Sequence, residues 1–132
     1  MLQQVADNIL STFIGTWKLI ECSQIDTNGI TKNIWGDDVL GYLIYTTAGI
    51  MAVQIVPKKQ IPELAMSNNY YAYFGRFEIN QTSKTVIHHV EADLDVTFIG
   101  KKRTRTYNFF DNKLSLITQG EATTKKLLWQ KV

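Results

Sequence analysis

The sequence holds a single cysteine, Cys22, so no disulfide can close within the chain. Small extracellular domains are often stapled by several such bonds, and this shortage sets the chain apart from them. Proline is scarce too: Pro57 and Pro62 are the only two, and both fall in one short stretch. Charge of one sign is lacking. Against 14 basic residues stand 12 acidic ones, and a net charge of +2 is too small to argue for a nucleic-acid partner. No apolar run approaches the ~20 residues of a membrane-spanning helix, so membrane insertion is not expected. Residues 1–10 have neither the basic start nor the apolar stretch of a secretory leader. The expectation is a cytoplasmic protein.

What is present is a globular composition, 45% hydrophobic and 20% charged. A chain of 132 residues fits one domain, residues 1–132, long enough to bury roughly two-thirds of its unfolded surface. Basic residues cluster at Lys101-Lys102-Arg103-Thr104-Arg105 and at Lys125-Lys126. Such runs read first as solvated strand ends, with phosphate binding as the minority reading.

Val5, Ile9, Leu10 and Phe13 recur at helical spacing, which predicts one short amphipathic helix before the first strand. From Ile14 onward the period is two. Turn signals at Asp26-Thr27-Asn28-Gly29, Thr47-Ala48-Gly49, Asn80-Gln81-Thr82-Ser83 and Asp111-Asn112 separate short alternating runs. A break at Gly36-Asp37-Asp38 precedes the run from Leu40 to Thr46. Pro57 to Asn69 is the one long irregular segment, with a helical turn expected at residues 63–66 and the length of a lid. Tight turns between successive runs predict an all-β fold. The expected architecture is a single antiparallel up-and-down β-barrel of eight or nine strands, whose closure removes exposed edges. Gly15 should let the first strand bend, and Trp17 should plug one end.

Gly15-Thr16-Trp17 opens the barrels of two known families. The first strand resembles that of fatty-acid-binding proteins, but that similarity stops there. After Cys22 the chain turns directly into another strand, and the closing Arg-x-Tyr pair of that family is replaced by Leu128-Trp129-Gln130-Lys131. A fuller resemblance is to the small lipocalin-like domain family, a calycin-type barrel. It is carried in order by Gly15-Thr16-Trp17, Gly41-Tyr42-Leu43-Ile44-Tyr45-Thr46, Gly49-Ile50-Met51, Tyr71-Ala72-Tyr73-Phe74-Gly75, His88-His89-Val90-Glu91, Gly100, Arg105 and Leu128-Trp129. One segment departs from the family pattern. Where relatives carry a proline and a tryptophan, this chain reads Asp95-Val96-Thr97-Phe98-Ile99-Gly100. If that segment forms part of a rim, the ligand differs from that of relatives.

Alternation points Tyr71, Tyr73, Gly75, Phe77 and Ile79 inward, with Arg76 and Glu78 outside. Clustered tyrosines suit a cavity that holds a ligand or water, or else a rim that takes their hydroxyls. On the next strand Val86, His88, Val90 and Ala92 form the apolar face, which puts His88 inside and His89, Glu91 and Asp93 outside. His88 is the candidate acid–base residue, with a structural histidine as the alternative. His89 and Glu91 share a face but find no third ligand, so no metal site is expected. No cofactor is implied either, since no glycine-rich phosphate loop or nucleophile motif is present.

Arg103, Arg105, Tyr107 and Phe109 share a face. An inward arginine needs a partner, and three are open: Glu21, a ligand carboxylate, or the ring of Trp17. The residues expected to line a pocket are Tyr45, Tyr71, Tyr73, His88 and Arg105, with Gln54 added if the fourth strand turns its polar face inward. The function they suggest is binding of a small, mostly apolar molecule in the barrel interior, with or without an acidic or polar group. The alternative is a small isomerase or cyclase with His88 as proton shuttle.

Overall fold

The computed structural model describes residues 9–33, 39–57, 70–120 and 122–132. Nine strands run through it: β1 (Gly15–Asp26), β2 (Thr31–Asn33), β3 (Val39–Tyr45), β4 (Ile50–Pro57), β5 (Tyr71–Asn80), β6 (Thr85–Asp93), β7 (Lys102–Phe110), β8 (Lys113–Gln119) and β9 (Thr123–Lys131). Each pairs antiparallel with its neighbour in the order β2-β1-β3-β4-β5-β6-β7-β8-β9, and β9 returns to β1. Eight strands therefore close into an up-and-down barrel. The three-residue β2 lies outside the ring, beside the far half of β1 at Ser23–Ile25. Closure satisfies backbone groups that an open sheet would leave at its edges.

The turns form where local chemistry favours them. The Asp26 carboxylate accepts from the amides of Asn28 and Ile30, which bends the chain out of β1. Asp111 and Asn112 both take positive φ, at 48° and 59°, as a two-residue hairpin of matching twist requires. The expected helix is seen only in part, as residues 9–13. The expected break at Gly36-Asp37-Asp38 and the lid-like stretch, with its helical turn at residues 63–66, lie outside the described residues.

One end of the barrel is packed shut. Gly15 makes the turn from helix to strand at φ 132°, where a Cβ would press on the Lys131 ammonium at 2.7 Å. Trp17 follows, buried, with Nε1 donating to the Phe13 carbonyl at 2.9 Å. The Phe13 ring meets Tyr45, Tyr107 and Phe109 edge-on, with centroids 5.3, 5.0 and 4.8 Å away. Leu114 and Trp129 complete this floor. The cation over Trp17 is not an arginine: Lys131 Nζ stands 4.6 Å from the ring centre and bonds to the Ile14 carbonyl.

Two bulges re-aim side chains. On β1 the pairing with β9 steps from Leu19↔Trp129 to Glu21↔Leu128, so Ile20 is an extra residue. Beyond it Cys22 faces in and Glu21 faces solvent. Glu21 therefore cannot serve as the interior partner of an arginine. On β6 the pairing with β5 steps from Gly75↔Val90 to Phe74↔Ala92, leaving Glu91 extra. A Cβ at Gly75 would stand 1.8 Å from the His89 carbonyl oxygen, so only glycine permits this approach. The step turns Asp93 inward, opposite Tyr73, and moves Ala92 off the interior face.

Candidate functional site

At the open end of the barrel lies a cavity of about 650 Å³. Its apolar wall comes from Ile55 on β4, Tyr71 on β5, Leu127 on β9 and Phe98 in the β6–β7 connection, with the Cys22 thiol between them. Its polar groups are Lys102, Arg103, Thr104 and Arg105 from β7, Thr118 from β8, and Thr123 and Lys125 from β9. The β7–β8 ladder stops at Thr106↔Ile117. Lys102–Arg105 therefore face residues 118–120 across the cavity, without the hydrogen bonds that join the rest of the pair.

The β6–β7 connection shapes the rim. The Asp95 carboxylate accepts from the Thr97 amide and hydroxyl at 3.1 and 2.6 Å, which starts a single 3₁₀ turn, Val96–Phe98. That turn carries Phe98 back over the mouth. Through Phe98 the β6–β7 connection is thus part of the cavity wall.

The two inward arginines differ in their partners. Arg103 Nη2 donates to Asp93 Oδ2 at 2.8 Å, with both side chains largely buried. Its guanidinium lies 3.8 Å from the Phe98 ring centre and 4.7 and 5.1 Å from those of Tyr73 and Tyr71. Burial opposes its charge, yet Tyr71, Asp93 and Tyr73 outweigh that and raise its pKa above the usual arginine value. Straight alternation through β6 points Asp93 outward, and the bulge at Glu91 turns it in. The signal that could have found it is Gly75, since a glycine inside a strand pattern often marks a bulge. Arg105 is 8% exposed, and its side chain has one hydrogen bond among the described residues, from Nη1 to the Thr104 carbonyl at 3.1 Å.

Tyr45, Tyr73 and His88 come together below the cavity. His88 Nε2 is 2.7 Å from the Tyr45 hydroxyl, and Nδ1 is 2.6 Å from that of Tyr73. His88 is 1% exposed, and its pKa falls to about 3, first through burial and then through the charges of Arg105, Arg103 and His89. Burial pushes both phenols up, with Arg105 pulling against it. All three groups are neutral at ordinary pH. A neutral imidazole has one N–H and one lone pair, so one phenol donates to it and the other accepts. None of the three is among the residues that line the cavity.

Other candidates fall elsewhere. Tyr71 and Arg105 line the cavity. Gln54 does not: β4 turns Met51, Val53 and Ile55 inward, and Gln54 is exposed on the outer face. His89 bonds to Glu78 across β5–β6 at 2.7 Å, and its partner is not Glu91. Among the described residues no cluster of three His, Cys, Asp or Glu side chains could hold a metal ion. Burial raises the Cys22 thiol at the cavity wall to about 11, which leaves it protonated at neutral pH. No helix among the described residues is long and apolar enough to cross a membrane.

Comparison with known proteins agrees with this geometry. No curated protein matches the chain. The family model of the lipocalin-like domain, in contrast, matches residues 14–132, from the plug at Gly15 and Trp17 to the last strand that closes the ring. Barrels of this size suit one small ligand. With that span covered, the chain belongs to the lipocalin-like domain family.

Proposed function

We propose that the barrel binds one small, mostly apolar molecule in the cavity at its open end. The observation that carries this reading is the contrast between the two ends. Phe13, Trp17, Leu114 and Trp129 fill the closed end, whereas about 650 Å³ stays open above Tyr45, Tyr73 and His88. That volume lies within the roughly 300–1,000 Å³ of small-molecule sites, and a largely apolar wall with a few polar groups is their usual make-up. The driving force is removal of apolar surface from water, roughly 25 cal/mol per Å². A ligand that hides about 300 Å² would gain about 7 kcal/mol before the entropy of immobilisation is subtracted.

Tyr71 and Arg105 contact the ligand in this reading, and Tyr45, Tyr73 and His88 form a rigid neutral layer beneath it. Proton shuttling by His88 finds no support in this arrangement. Both ring nitrogens are engaged by phenols, and the ring has almost no exposure. A general base needs a free lone pair within reach of the substrate.

Native mass spectrometry of protein purified from its own host tests the proposal. The expected spectrum shows the chain with one small organic molecule, lost on denaturation. A bare chain that also takes up no apolar compound on incubation would contradict it.

A further inference from the structure

We infer that the ligand of this cavity is a monoanion, an apolar body with a planar head such as a carboxylate, and that Arg105 is its counter-ion. The inference rests on the binding reading above and adds to it the chemical class of the ligand. Two guanidinium groups face the cavity, and they are not equivalent. Arg103 is neutralised by Asp93 at 2.8 Å and sandwiched against Phe98, Tyr71 and Tyr73. Arg105 is more than nine-tenths buried and lines the same cavity, with no carboxylate partner among the described residues.

A buried cation without a counter-charge is costly, and it attracts an anion strongly once one arrives. The planar fork of a guanidinium matches a carboxylate through two parallel hydrogen bonds. With Arg103 already paired, a single buried positive charge remains, which fits one negative charge and disfavours a dianion. Lys102 and Lys125, both exposed at the mouth, add a positive field along the parting of β7 and β8.

Calorimetric titration with decanoate and with decanol, on the full chain and on Arg105→Met, tests the inference. Decanoate should bind the unaltered protein more tightly than decanol. Arg105→Met should lose roughly 30-fold or more for decanoate, the low end for removing one partner of a buried charge pair, with little change for decanol. Arg105→Lys, which keeps the charge without the fork, should fall between, and it serves as the folded control if the methionine variant is unstable. Equal affinity for the two probes, or equal loss of both in either variant, would overturn the counter-ion role. Failure of both probes to bind the unaltered chain would instead overturn the underlying binding reading, and the inference with it.

Discussion

His88 shows how a residue that titrates freely in water becomes a fixed neutral part of an interior. Its two phenol partners satisfy both ring nitrogens, while burial and the nearby arginines oppose a positive charge. In the unfolded chain the same ring takes a proton near ~6.5, whereas in the fold it does so only near about 3. The folded pKa is the lowered one, so the unfolded state binds more protons between these values. Stability from this group is complete above the unfolded value and drains away as pH falls from ~6.5 toward 3, by an amount on the order of several kcal/mol. Imidazole NMR signals of His88 should therefore stay fixed down to about pH 4. Urea melts should show acid destabilisation across this range that is weaker in His88→Gln. A His88 signal that titrates near ~6.5 in the folded protein would contradict the buried arrangement.

At the scale of strands and turns, most of the architecture was legible because one face of each strand is buried. Alternation alone points Tyr73 and Phe77, and Val86, His88 and Val90, inward, and all five are buried. What alternation could not show is a mismatch in residue count between two paired strands. The extra residues Ile20 and Glu91 leave no mark within their own strands, so straight alternation puts Glu21 and Asp93 each on the wrong face. The cation over Trp17 is not legible in the sequence for a related reason, since Lys131 reaches it through the closing β1–β9 pairing. Gly75 tests the β5–β6 bulge directly. Gly75→Ala would drive a methyl into the backbone carbonyl of His89, which cannot rotate away as a side chain would. The expected cost is about 1–3 kcal/mol or more, with loss of the register that turns Asp93 toward Arg103. A denaturant melt that shifts by less than about 0.5 kcal/mol would mean the strands do not meet this closely.

The molecule as a whole is a barrel with unlike ends. The helix end, Gly15, Trp17 and the aromatic cluster around Phe13 make a solid base, and the opposite end keeps a hollow flanked by basic residues. Inward-facing tyrosines, histidine and arginine could be read from the sequence as a polar lining. Their division into a sealed Tyr45–His88–Tyr73 layer and an accessible Tyr71–Arg105 surface depends on depth along the barrel, which period-two patterning does not encode. The most direct measurement is NMR chemical-shift mapping during a titration with decanoate. A saturable response should appear at Ile55, Tyr71, Phe98, Arg105 and Leu127, while Phe13, Leu114 and Trp129 at the packed end stay unmoved. Saturable shifts confined to the outer faces of the strands, or no saturable response at all, would contradict it.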